Sequence, residues 1–233
     1  MGARVVASFL WRKKIKTVDT LILSHPNSDH LNGLIYIARH FNVKSIWTNG
    51  EKRNTAGYNM LIKIIKEETI DMPKFKDIPR NSKINGVAFE ILYPKKDFIN
   101  LRKKEKWRDT NNNSIVIKAD FGKYSFLMPG DIMKRSESEL VSMAGEKLTS
   151  NVLIAPHHGS VSSSTDLFLD KVKPDYIIIS SGWKNRFHFP HPSVLKRYAS
   201  LGCKIFRTDI NGAITMATNG GSLDIRPYIS GSK

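Results

Sequence analysis

Residues 21–34 read LILSHPNSDHLNGL, and the change of pattern inside this stretch decides the reading of the fold. Thr20 to Ser24 is a continuous apolar run that stops at a polar turn, as a buried strand does. From Leu34 to Phe41 apolar residues recur at spacings of three and four, as on an amphipathic helix. His25 to His30 is therefore read as a loop at a strand end. It packs two imidazoles and a carboxylate into six residues, and one turn can fold all three toward a point.

Outward from this stretch, apolar runs alternate with periodic segments. Residues 4 to 14 read as a short helix, and Tyr58 to Glu68 follows Leu34 to Phe41 as a second amphipathic helix, so two helices separate the early strands. Val87 to Tyr93, Ser114 to Ala119 and Tyr124 to Met128 read as strands, the last two joined as a hairpin through Asp120 to Lys123. Helices follow at Arg135 to Ala144, Thr165 to Lys171 and Pro192 to Leu201. The last of these has Pro at its start and Gly202 after its end. Strands are expected at Val152 to Ala155 and Tyr176 to Ser180, then at Ile205 to Arg207 and Ala213 to Thr218 around the turn Asp209 to Gly212. Without repeats or low-complexity linkers, the pattern predicts one α/β domain over residues 1–233.

Composition narrows the classes. Lys and Arg number 37 against 21 Asp and Glu, a formal charge of +16, with 40% apolar and 25% charged residues, which is globular. The longest apolar stretches, such as Leu21 to Leu23 and Ile177 to Ile179, are strand-sized and exclude a membrane-spanning helix. Val5 to Trp11 is apolar, but Arg12, Lys13 and Lys14 follow where a secretion signal needs small residues. With no targeting signal, the chain reads as cytoplasmic. One cysteine, Cys203, excludes an internal disulfide and every cysteine-based zinc site. Any metal must use His, Asp, Glu or Asn.

Six of the seven histidines fall in three short polar loops. His25 and His30 flank Asp29. Pro129-Gly130-Asp131 ends a strand with a carboxylate, and Pro156-His157-His158-Gly159 ends another with adjacent imidazoles, of which at most one should turn inward easily. Each piece alone has a plainer reading as a cap or a turn. Together, each at a strand end, they predict a divalent metal site of the zinc, iron or manganese type. His188 and His191 are candidate substrate-side groups, or caps before Pro192. Between residues 95 and 108, Arg102, Lys103, Lys104, Lys106 and Arg108 surround Trp107. Such a loop can follow phosphates and stack on a base, or be a solvated flexible face.

These residues carry a resemblance. The 21–34 run resembles the first metal motif of the metallo-β-lactamase superfamily. The runs NNNSIVIKADFGKYSFLMPGDI, LIAPHHGSVSSS, ISSGWKNRFHFPHPSVL and FRTDINGAITM look like the successive motifs of the C-terminal hydrolase domains of the ComEC family of DNA-uptake competence proteins. The resemblance implies an αββα sandwich, N-terminally truncated here, because Met1 falls almost at the first helix. It implies two divalent ions, zinc or manganese. His25 and Asn27, with Asn113, would hold the poorer site; Asp29 and His30 with His158 or His157 would hold the second, and Asp131 would bridge. Asp29, His30 and Asp131 are then the catalytic set. The implied activity is a phosphodiesterase or nuclease acting on single-stranded DNA. The rival readings are a hydrolase of a small ester, amide or phosphoester, and a decayed domain that only binds nucleic acid. In that family the domain lies behind a membrane channel, which puts a missing N-terminal segment or channel domain, and an extracytoplasmic location, among the expectations.

Overall fold

A computed structural model describes residues 2–229, which fall into two compact units: residues 2–78 with 95–115, and residues 79–94 with 116–229. The first unit opens with a wide helical segment over Gly2–Ala7 that runs into α1 (Ser8–Arg12). Then come β1 (Thr17–Leu23), α2 (Ser28–His40), β2 (Asn42–Thr48), α3 (Ala56–Glu67) and α4 (Phe98–Lys104). β1 and β2 pair in parallel, Leu21 opposite Ile46, which requires a crossover, and α2 supplies it. Leu23, Leu31, Ile37, Ile46, Leu61 and Ile64, each at most 1% exposed, form the core of this unit. A buried side chain of this size is worth about 1.5–3 kcal/mol.

Four expectations change in this unit. One helix, not two, separates the early strands. β2 escapes pattern reading because Asn42, Lys44 and Ser45 interrupt its apolar residues. α2 begins at Ser28, so Asp29 and His30 belong to a first helical turn rather than a loop; that turn is polar and shows no apolar period, although Asp29 suits the positive end of the helix dipole. Residues 98–104, read as part of a basic loop, are helical. Phe98 anchors them, fully buried and edge-on to Phe75 at 5.7 Å.

The second unit is built on β3 (Asn81–Ile84), β4 (Val87–Tyr93), β5 (Val116–Phe121), β6 (Tyr124–Met128), β7 (Val152–Ile154), β8 (Tyr176–Ile179) and β9 (Lys204–Arg207), seven strands in that spatial order. Pairing is antiparallel from β3 to β6 and parallel from β6 to β9. The parallel half is joined by α5 (Lys134–Ala144), α6 (Asp166–Val172) and α7 (Pro192–Ser200). The β5–β6 hairpin turns where expected, Phe121 opposite Tyr124. After β9 the expected turn is a short helix, α8 (Thr208–Asn211). β10 (Ile214–Thr218) then pairs with β11 (Leu223–Pro227), a strand absent from the sequence reading because its half-buried residues alternate with charged ones. Leu127, Leu140, Leu153, Phe168, Ile177 and Tyr198 are fully buried at the centre of this unit.

Glu137 on α5 is fully buried and serves the start of α6. Its Oε2 accepts from the Thr165 backbone N–H at 2.8 Å and the Thr165 hydroxyl at 2.7 Å, and its Oε1 accepts from the Ser164 N–H. Burial pushes this carboxyl up to about 7, against the opposing pull of those donors and of Arg197. A folded-state value above the ordinary one favours the protonated form. Its stabilising contribution is full below the unfolded value of 4.5 and is lost as pH rises through about 7. Chemical denaturation across pH 4.5–8 should therefore show wild-type stability falling by roughly 3 kcal/mol relative to Glu137→Gln, whatever the absolute stability of the variant. Parallel pH profiles would show that Glu137 does not titrate in this range.

Candidate metal centre

In the first unit the end of β1 delivers His25 into a fully buried position. Its Nδ1 stands 3.1 Å from both the Ser24 and the Ser114 hydroxyls. Ser114 Oγ also lies 2.8 Å from the Asn111 carbonyl, which can only accept, so the single hydroxyl proton of Ser114 is directed there. His25 Nδ1–H therefore donates to Ser114 Oγ, and Nε2 is left with the lone pair. Nε2 of His25 and Nε2 of His30 are both shielded from solvent, and the two rings lie 4.3 Å apart. His30 Nε2 is 3.8 Å from Asp29 Oδ2.

Three asparagines surround this loop within the same unit. Asn27, at the N-cap of α2, donates its side-chain amide to Asn111 Oδ1. Asn113 is fully buried; its amide donates to the Arg108 and Asp109 carbonyls at 3.2 and 2.8 Å, which fixes the flip of the side chain. Asn113 Oδ1 is then a buried acceptor with no hydrogen-bond partner among the described residues. Such an atom costs about 1–3 kcal/mol unless a cation or water meets it.

In the second unit, β6 ends at Met128 and Gly130-Asp131 follows in a turn with Gly130 at φ 61°; Asp131 is 3% exposed. β7 ends at Ile154, and the chain turns through His157 (φ 49°, ψ 42°) and His158 (φ 55°, ψ 22°), two consecutive non-glycine residues in the left-handed region. That conformation is uncommon, and two in succession are held only by surrounding bonds. His157 N–H donates to the Gly130 carbonyl at 3.1 Å, His191 N–H donates to the Gly159 carbonyl at 2.9 Å, and a Cβ on Gly159 would stand 2.7 Å from Pro190 Cβ. Only glycine fits there.

This backbone brings both imidazoles to one carboxylate, where the sequence predicts a single inward histidine. Asp131 Oδ2 is 3.7 Å from His158 Nε2 and 4.0 Å from His157 Nε2. His158 Nδ1 lies 2.7 Å from the Ser180 carbonyl at the end of β8, so it carries the proton and leaves Nε2 facing the carboxylate. His157 Nδ1 is 3.1 Å from Ser162 Oγ. A carbonyl or hydroxyl holding the far nitrogen is the usual support of a metal-bound histidine. Two ligands at about 2.0–2.1 Å from a tetrahedral ion stand roughly 3.3 Å apart, close to the His158–Asp131 separation. The donor chemistry fits a divalent cation. The supporting groups Ser114, Ser162 and Ser180 are not recognisable from sequence, because serine in a turn has no distinctive spacing.

The other candidates are placed as follows. His191 caps α7, its Nδ1 accepting from the Ser193 N–H at 3.2 Å, which is the capping alternative of the sequence reading. His188 is exposed at φ 55°. Arg102 pairs with buried Glu51 at 3.0 Å. Arg108 is itself buried, bonded to Glu105 at 2.8 Å and lying 4.3 Å over the half-buried Trp107 ring. Lys103, Lys104 and Lys106 are exposed, as are Lys95 and Lys96 earlier in that segment. No helix among the described residues is long and apolar enough to cross a membrane.

Residues 2–98 match the family model of the Metallo-beta-lactamase superfamily. The chain is 29% identical to ComE operon protein 3 of Bacillus subtilis (strain 168), over 92% of its own length and 26% of that protein's. It is 30% identical to Competence protein ComA of Neisseria gonorrhoeae, over 90% and 26% of the two lengths. Against Recombination protein 2 of Haemophilus influenzae the figures are 29%, 92% and 24%. The chain thus spans about a quarter of each of these relatives. Among solved structures it is similar to CmlA, a diiron beta-hydroxylase from Streptomyces venezuelae, with a TM-score of 0.51 at 11% identity over 82% of this chain and 44% of that one, which shows the fold alone. By sequence, residues 2–98 resemble the metallo-β-lactamase superfamily, and nine-tenths of the chain is similar to one quarter of competence-associated proteins.

Proposed function

We propose that the chain is a metal-dependent hydrolase of phosphodiesters that acts on single-stranded DNA. The observation that carries the reading is His158. Its Nδ1 proton is committed to the Ser180 carbonyl, and its Nε2 faces Asp131 at 3.7 Å, too long for a hydrogen bond and suited to a shared cation. On the resemblance of their motifs, Asp29, His30, Asp131 and His158 are the proposed ligands of a principal zinc or manganese ion. His25, Asn27 and Asn113 are the proposed ligands of a second, weaker one, where neutral amides replace anionic donors.

When bound, such ions supply Lewis-acid chemistry, acidifying water and polarising a phosphoryl oxygen. The chain's part is to hold its donors in the right protonation state: Ser114 and Ser180 fix protons on His25 and His158 Nδ1, and the left-handed turn keeps His157 and His158 on Asp131. His157 is placed to take or return a proton at Nε2. The formal charge of +16 supports a polyanionic substrate, and the words competence and recombination in two relatives' names support DNA.

Asp131→Ala should abolish both metal retention and hydrolysis of bis-p-nitrophenyl phosphate and single-stranded DNA. His25→Ala should impair them less, and His40→Ala, on the exposed end of α2, should change neither. Metal analysis together with turnover measures this, and equal small effects of all three would place the chemistry elsewhere. Ser114→Ala should lower metal affinity by about 10- to 100-fold while Ser114→Thr, which keeps the hydroxyl, retains it; chelator competition separates the two. Neutralising Lys103, Lys104 and Lys106 should leave metal content unchanged and reduce the salt dependence of single-strand binding by roughly 0.7 log units per lost contact.

A further inference from the structure

The segment between β8 and α7 exposes aromatic rings that no core requires. Trp183 is 74% exposed and Phe187 is 59% exposed, large values for side chains that ordinarily bury. Each has a cation over its ring: Lys184 Nζ lies 4.6 Å from the Trp183 centroid and the Arg186 guanidinium 4.7 Å from that of Phe187. Phe187 stacks on Phe189 at 5.6 Å and 20°, and Phe189 meets His157 edge-on at 5.8 Å. A ladder of rings therefore runs from solvent to one of the histidines beside Asp131.

The loop is held in shape. Asn185 donates its amide to the carbonyls of Gly182 at 3.0 Å and Phe189 at 2.6 Å, and accepts from the Phe189 N–H at 3.0 Å. His188 N–H adds a bond to the Asn185 carbonyl at 3.1 Å, and the far end is tied to the histidine turn through His191 and Gly159. One side chain thus closes the loop, and Trp183 and Phe187 are presented with little ordering left for a ligand to impose.

We propose that this loop is a stacking clamp for unpaired nucleotides, with bases lying on Trp183 and Phe187 and the phosphates between them met by Lys184 and Arg186. The clamp rests on the nucleic-acid reading above and adds the surface that grips the strand. Charge selects this occupant: no acidic residue occurs between Asp175 and Asp209, and both loop cations are exposed. Alternating rings and cations match the alternation of bases and phosphates along a single strand. A membrane-inserting loop would instead gather its apolar side chains without interleaved charge.

The test is fluorescence anisotropy of labelled (dT)20 with the full chain in EDTA, where cleavage is absent. Trp183→Ala and Phe187→Ala should each weaken binding by roughly 5- to 100-fold with little change in salt slope. Lys184→Gln with Arg186→Gln should flatten the slope by about 0.7 log units per contact. Trp183→Phe should restore much of what Trp183→Ala loses, and circular dichroism should show all variants folded. Wild-type affinity in the Trp183→Ala, Phe187→Ala double variant overturns the clamp. So does binding of the wild type to phosphatidylserine–phosphatidylcholine vesicles, lost in that variant, without binding of (dT)20. Turnover of bis-p-nitrophenyl phosphate by the metal-loaded wild type is read separately, so failure of the clamp and failure of the hydrolase reading are distinguishable.

Discussion

Much of the second unit follows from the change of direction at β6. That strand is antiparallel to β5 and parallel to β7, and β8 continues the parallel half. Parallel neighbours end on the same edge of a sheet, so the segments leaving β6, β7 and β8 emerge together there. They are the turn of Asp131, the turn of His157 and His158, and the loop from Ser180 to His191. The Ser180 carbonyl can orient His158 only because β7 and β8 run in register, Ile154 beside Ile178. The helices that join these strands serve the same end, with Glu137 joining α5 to the start of α6.

The first unit repeats the arrangement on a smaller scale. β1 and β2 are parallel, and their ends deliver His25 on one side and Asn49 and Glu51 on the other, all buried. Asn49 binds the Asn113 carbonyl at 2.9 Å and accepts from the Glu51 N–H at 3.0 Å, so the asparagine segment is braced from β2. Glu51 in turn receives the Thr110 hydroxyl at 2.7 Å. The amide chemistry of this segment is thus built into the fold of the unit.

Legibility in the sequence followed the physics of each signal. Continuous apolar runs such as Leu21 to Leu23 and Ile177 to Ile179 located strands, because burial on both faces leaves no other pattern. Pro192 before a helix and Gly202 after it marked α7 for steric reasons. β2 and β11 were hidden because half-buried strands carry polar residues on one face, and the first turn of α2 because its residues are polar and show no apolar period. The candidate carboxylate and imidazole donors were legible as candidates from their spacing at strand ends. Their protonation was not, since it is set by Ser114 and Ser180, partners distant in sequence. The basic segment at 95–108 was legible only in part for a related reason: charge counted along the chain does not show that Glu51 and Glu105 engage Arg102 and Arg108.

Gly159 has a consequence for how such a domain can change over generations. Because Pro190 packs where its side chain would be, the histidine turn and the aromatic loop share one van der Waals boundary. Substitutions that thicken either backbone are felt by both, so their effects will not add independently. Length changes in the 181–191 loop must also preserve the approach of Pro190, or they displace His158 from the strand that orients it. The exposed loop is therefore inherited together with the histidine turn behind it, and variation is channelled into the exposed side chains at positions 183, 184, 186 and 187.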